Sequence, residues 1–184
     1  MLDVKPTSLD GVIIVTPARF GDDRGFFSET YNEQRFVEAG IDVRFVQDNH
    51  SRSAKKGTVR GLHYQAPPFA QAKLVRVAAG AILDVAVDAR RASPTFGKHV
   101  AVELSADNGA QLFVPEGFLH GFVTLAPETH VIYKVNAYYD RDSDGAVRWN
   151  DPDLAIDWGL TENDATLSEK DAAAPFWKDL TSPF

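Results

Sequence analysis

The stretch Gly57-Thr58-Val59-Arg60-Gly61-Leu62-His63-Tyr64-Gln65 decides how this chain is read, together with Gly109-Ala110-Gln111-Leu112-Phe113-Val114-Pro115-Glu116-Gly117-Phe118-Leu119-His120. The first reads as an extended strand, in which residues two apart face the same way. His63 and Gln65 therefore point together. Gly61, between Arg60 and Leu62, leaves room for a ligand to approach closely. The second stretch turns at Pro115-Glu116-Gly117 and comes back to another histidine, His120. A lone strand histidine is usually a packed side chain. Two of them in ordered stretches, with Lys73 between, favour a site.

Outward from these stretches the period stays at two. Leu83, Val85 and Val87 share one face, with Asp84 and Asp88 on the other. Val100, Val102 and Leu104 alternate with Ala101, Glu103 and Ser105, and Val131, Tyr133 and Val135 with Ile132, Lys134 and Asn136. This is the pattern of half-buried strands. Turn signals recur at Ala79-Gly80, Ser93-Pro94, Asp107-Asn108-Gly109 and Pro115-Glu116-Gly117. Many short strands with frequent turns predict a mostly β chain folded as a sandwich or barrel. Helix signals lie only on the flanks. Asn32 to Ala39 predicts a short helix ending at Gly40, and Ser168 to Ala174 another, with Ser168 as N-cap and Pro175 as its stop. Residues 1–184 are expected to form one domain.

Length and composition narrow the function. A chain of 184 residues can bury a sizeable core. A formal charge of −7 argues against a nucleic-acid surface but leaves room for a local basic pocket. With no cysteine, thiol nucleophiles, disulfides and zinc–thiolate sites are excluded, which fits a reducing compartment. The apolar run Val12 to Val15 is too short for a membrane span or a signal-peptide core. The expectation is a cytoplasmic protein with no membrane or nucleic-acid partner.

The two quoted stretches resemble the paired motifs of the cupin barrel, which implies a jelly-roll β-barrel with short peripheral helices. A metal-binding cupin carries His-x-His and then Glu in its first motif and a further His in its second. Here His63 and His120 stand, Gln65 replaces the second His, and Lys73 falls where the Glu belongs. An ammonium in place of a carboxylate repels a divalent ion, yet it stabilises negative charge that develops on a substrate. The pattern points to acid–base chemistry on an anionic intermediate, with no metal and no cofactor.

Further segments extend the match. They are Phe20-Gly21-Asp22-Asp23-Arg24-Gly25-Phe26-Phe27, Gln47-Asp48-Asn49-His50-Ser51, Arg60 to Gln65, Lys73-Leu74-Val75-Arg76, Ser93-Pro94-Thr95-Phe96-Gly97, Pro115 to Phe122, Tyr133-Lys134 and Leu167-Ser168-Glu169-Lys170-Asp171. In this order, over nearly the whole length, they resemble the dTDP-4-dehydrorhamnose 3,5-epimerases. The resemblance implies that His63 is the general base, Asp171 the carboxylate that orients it, Tyr133 the general acid and Lys73 the group that polarises a ketone. It also implies substrate contacts from Arg24, Glu29, Gln47, Asn49, Arg60, His120, Asp144 and Lys170. Asp144 departs from the family's common Glu by one methylene. The implied assembly is a homodimer with exchanged N-terminal strands, so that Arg24 and Glu29 serve the neighbour's site.

The chemistry suits these roles. Hydrogens beside a C4 ketone are acidic because the carbanion is an enolate, and a lysine ammonium can hold that oxygen. An imidazole, with a reference pKa of about 6.5, is an apt base, and a phenol, at about 10, arrives protonated. The implied substrate is a dTDP-4-keto-6-deoxy-hexose, inverted at C3 and C5. Three alternatives stand beside this reading: an epimerase of one carbon only in an antibiotic deoxysugar pathway, a non-catalytic nucleotide-sugar-binding cupin, and a metal-dependent cupin. Gln65 and Lys73 weigh against the last.

Overall fold

The computed structural model describes residues 2–184. Thirteen strands, two short α-helices and two 3₁₀ turns, Glu162–Asp164 and Trp177–Asp179, account for the regular structure of this part. The strands are β1 (Leu2–Pro6), β2 (Ile13–Pro17), β3 (Phe20–Asp22), β4 (Gly25–Phe27), β5 (Gln47–Ser53), β6 (Val59–Gln65), β7 (Lys73–Ala79), β8 (Ala81–Asp88), β9 (His99–Ser105), β10 (Gln111–Val114), β11 (Phe118–Thr124), β12 (Thr129–Val135) and β13 (Asp144–Ala146). The helices are α1 (Glu33–Glu38) and α2 (Glu169–Ala172). Both fall where the sequence places them. Asn32 caps α1 by accepting from Arg35 N–H, and Ser168 caps α2 by accepting from Asp171 N–H.

Two antiparallel sheets face each other. One is ordered β1-β2-β10-β7-β12-β5, the other β13-β6-β11-β8-β9. The predicted jelly-roll-like barrel is thus present, with three apolar layers. Val75, Val77 and Val131 from the first sheet meet Ile82, Ala86, Phe118 and Phe122 from the second inside the barrel. Outside the first sheet, Phe36 and Ile41 cover Val15, Leu74 and Phe113. Outside the second, the C-terminal chain lays Trp149, Leu154 and Trp158 over Leu62, Val85, Val87, Leu119 and Val123.

That last layer changes the reading of β8. Leu83, Val85 and Val87 do share a face, but it is the outer one, against the C-terminal chain. The inner face carries Ile82 and Ala86, with Asp84 between them. The same C-terminal chain hydrogen-bonds along β6. Leu62 and Val147 exchange backbone bonds of 3.0 and 2.9 Å, and Val59 N–H donates to Thr166 O at 3.0 Å. This path delivers α2 to the barrel mouth.

Candidate active site

The inner face of β6 is not the simple alternation that the sequence suggests. The pairing with β11 shifts between His120↔His63 and Phe122↔Arg60, so two residues of β6 oppose one of β11. Such a bulge turns Arg60 and His63 to the same side. Gly61 is required there for another reason than ligand access. Its φ is +127°, and a Cβ would lie 2.5 Å from the Gly121 Cα. The close approach is to β11, which corrects the expectation from sequence.

One open cavity of about 210 Å³ lies at the mouth of the barrel, lined by Arg60, His63, Lys73, His120, Tyr133 and Lys170, with Ser51, Phe122, Ser168 and Asp171. His63 and His120 are direct cross-strand neighbours on one sheet. Lys73 and Tyr133 come from β7 and β12 of the opposite sheet, which pair with Val135 opposite Lys73 and Val75 opposite Tyr133. The groups implied as base and acid therefore stand on facing walls.

Both imidazoles of the cavity are held by carboxylates. His63 Nε2 donates to Asp171 Oδ1 at 2.5 Å. That bond places the ring proton on Nε2 and leaves the Nδ1 lone pair as the basic one. Burial alone would raise the Asp171 carboxyl, but the His63 contact, aided by Ser168 and the Gly61 backbone, holds it below the usual range. His120 Nε2 donates to Asp84 Oδ1 at 2.7 Å, and burial pushes the imidazole down despite that carboxylate. Burial likewise raises the Tyr133 phenol, so it stays protonated at neutral pH. Desolvation brings the Lys73 ammonium down to about 8, against the pull of Asp84 and Asp144 and with the push of Lys170.

The rim is polar. Asp144 accepts from Lys170 Nζ and, at 3.3 Å, from the Tyr139 hydroxyl. The shorter side chain thus keeps a place at the mouth. Gln47 and Asn49 lie on the inner face of edge strand β5, joined by a 2.9 Å bond, and Tyr139 N–H donates to Gln47 Oε1. Gln65 is fully engaged elsewhere. Its amide donates to Phe69 O and Tyr138 O, and its oxygen accepts from Asp140 N–H. It ties down the rim loop and does not reach the cavity.

Arg24 and Glu29 are not brought to the cavity of their own barrel. Arg24 pairs with Asp22 at the tip of the β3–β4 hairpin, and Glu29 pairs with Arg35. The sequence reading also missed Asp84, whose alternation with leucine and valine imitates a solvated face.

Among the described residues, no three His, Asp or Glu side chains converge as a metal cluster. The two cavity imidazoles already spend one nitrogen each on a carboxylate. A divalent ion would find two imidazoles beside an ammonium, a poor donor set. Dialysis against a strong chelator is expected to leave turnover unchanged. Loss of activity that returns with added divalent ion would refute this.

A family model described as dTDP-4-dehydrorhamnose 3,5-epimerase matches residues 6–179. The Salmonella typhimurium dTDP-4-dehydrorhamnose 3,5-epimerase is 52% identical over 176 residues, covering 95% of each chain. A crystal structure of the Legionella pneumophila dTDP-6-deoxy-D-glucose-3,5-epimerase in complex with dTDP-4-keto-L-rhamnose superposes with a TM-score of 0.93. It is 46% identical and the match covers 98% of this chain and 95% of that one. A 3'-monoepimerase from Streptomyces bikiniensis, in complex with dTDP-quinovose, is more distant, with 32% identity, a TM-score of 0.85 and coverage of 93% and 86%. With the site geometry and these likenesses together, the chain belongs to the dTDP-4-dehydrorhamnose 3,5-epimerase family.

Proposed function

We propose that His63 is the base and Tyr133 the acid of this family's reaction, in which dTDP-4-keto-6-deoxy-D-glucose is inverted at C3 and C5 to dTDP-4-keto-L-rhamnose. The observation that carries the reading is the placement of these two groups on facing sheets across one cavity. A sugar ring between them presents one face to each. The Nδ1 of His63 takes the proton beside the C4 ketone, and Asp171 stabilises the imidazolium. Lys73 donates to the ketone oxygen as it becomes an enolate oxygen. The Tyr133 hydroxyl then protonates the carbon from the other side. The imidazolium then gives its proton to solvent and the phenolate takes one back, so the cycle runs once at each carbon, with no cofactor because the charge is held by Lys73. Arg60 and Lys170 are suited to the pyrophosphate, with Gln47, Asn49, His120 and Asp144 placing the rest.

Residues 1–184 form one epimerase domain in this reading, working as a homodimer. Support comes from the β3–β4 hairpin, where Phe20, Phe26 and Phe27 are 64%, 61% and 70% exposed. Such a patch favours a protein contact. β1 already pairs with β2 of its own chain, so the element offered for exchange is this hairpin. Exchange would carry Arg24 and Glu29 to the neighbour's cavity. A cysteine-free chain acting on a nucleotide sugar suits the cytoplasm, and no helix among the described residues is long and apolar enough to cross a membrane.

Incubation with dTDP-4-keto-6-deoxyglucose in deuterated water tests the reading. Deuterium at both C3 and C5 is the expected result. Deuterium at one carbon would make the chain a single-carbon epimerase, and none would make it a binding protein. The role of Lys73 adds a pH dependence. Its ammonium is the active form, present below its pKa and lost above, so turnover is expected to fall on the alkaline side with a midpoint of about 8.

A further inference from the structure

Asp84 is a buried ionisable group that the mechanism above leaves without a task. It is 0% exposed and sits on the inner face of β8 among barrel-core side chains. One carboxylate oxygen accepts from His120, while Oδ2 has no hydrogen-bond partner among the described residues. A bare carboxylate oxygen in an apolar barrel is costly unless a positive charge stands near. Across the barrel, Lys73 is the complementary case. The ion pairs among the described residues leave its ammonium without a partner of its own. Lys73 lines the same cavity as His120, whose ring Asp84 holds at 2.7 Å, and the charge of Asp84 is the strongest influence opposing the burial of the ammonium.

The other groups around Lys73 do not replace that charge. Asp144 also attracts it, but Lys170 is bonded to Asp144 and repels Lys73. Burial disfavours the charged forms of His120 and of Tyr133. On the β6 side, Asp171 is taken by His63, and Arg60 adds only positive charge.

We propose that Asp84 is a positioning residue for the epimerisation: its unpaired oxygen supplies the fixed negative charge that keeps Lys73 an ammonium, while its other oxygen holds the His120 ring. The proposal rests on the epimerase reading of the cavity, and the test separates the two. Lysine carbons of the full chain are isotopically labelled, and the Lys73 side-chain signal is assigned by its loss in Lys73→Arg. It is followed by NMR from pH 6 to 10 in wild type, Asp84→Asn and Asp84→Glu. In Asp84→Asn the Lys73 midpoint is expected to fall by about one pH unit or more. Asp84→Glu restores the charge and is expected to stay near wild type. Asp84→Ser, neutral and smaller, carries the same expectation as the asparagine should that variant fold poorly.

Turnover gives the second readout. The alkaline limb of kcat in Asp84→Asn should move to lower pH together with the Lys73 midpoint, with activity recovering toward wild type in acid and KM little changed. An unmoved Lys73 midpoint in a folded neutral variant overturns the proposal, as does a loss of kcat equal at every pH. If wild type itself fails to turn over the sugar nucleotide, the epimerase reading falls, and the Lys73 titration still decides whether Asp84 sets its charge.

Discussion

His63→Asn is expected to abolish both epimerisation and exchange of substrate hydrogens with solvent. General-base catalysis is worth about 10²–10⁴-fold, and a loss of that size or more should follow. The fold should survive, because His63 faces the cavity mouth and is partly exposed, and the Asp171 carboxylate keeps its support from Ser168 and the Gly61 backbone. Asp171→Asn should cost less, since it removes orientation and charge support but leaves the base. Proton NMR in deuterated water reads both processes, and circular dichroism checks the fold. Near-normal turnover in His63→Asn would reduce His63 to a packed strand histidine.

Tyr133→Phe should give a different pattern. The change removes one hydroxyl from a ring that packs against the barrel core, so folding is preserved. His63 still removes the proton and Lys73 still holds the enolate, but the donor on the opposite wall is gone. The imidazolium then returns a deuteron to the face from which the proton came. Solvent exchange is expected to outrun inversion in this variant, whereas wild type couples them. A time course of exchange against inversion measures the ratio. If both fell by the same factor, the facing-wall assignment would lose its support, and if neither changed, Tyr133 would be a core tyrosine only.

Strand parity and motif spacing pointed to His63 and His120, while the family resemblance singled out Lys73, Tyr133 and Asp171. His63, His120, Lys73, Tyr133 and Asp171 are all named by the sequence and all meet in one cavity. The Ser168 cap was legible too, since it acts within three residues of itself, and the Asn32 cap has the same local form. What was not legible depends on distant partners. Asp84 looks solvated because Leu83, Val85 and Val87 look like the only buried face, yet Trp149, Leu154 and Trp158 arrive from the C-terminal chain to cover that face. Both sides of β8 are then inside, and period two no longer tells lumen from solvent. Arg60 joins His63 only because of a bulge set by the contact of Gly61 with Gly121. Gln65 looks like a vacated ligand position but fastens backbone 73 residues away. Arg24 and Glu29 have no place at the cavity of a single chain, and motif order alone carries them.

The three apolar layers have a stereochemical meaning. The proposed base hangs from one sheet and the proposed acid from the other, and each sheet has its own outer buttress. The shared inner core, with Val75, Val77 and Val131 meeting Ile82, Phe118 and Phe122, works as a spacer between them. Its thickness sets the gap into which a sugar ring must fit with one face to each wall. A methylene added or lost there would open or narrow that gap while leaving every catalytic atom in its own sheet unchanged. On the proposed mechanism, the handedness of the product is in this sense gauged by core side chains away from the reacting carbons.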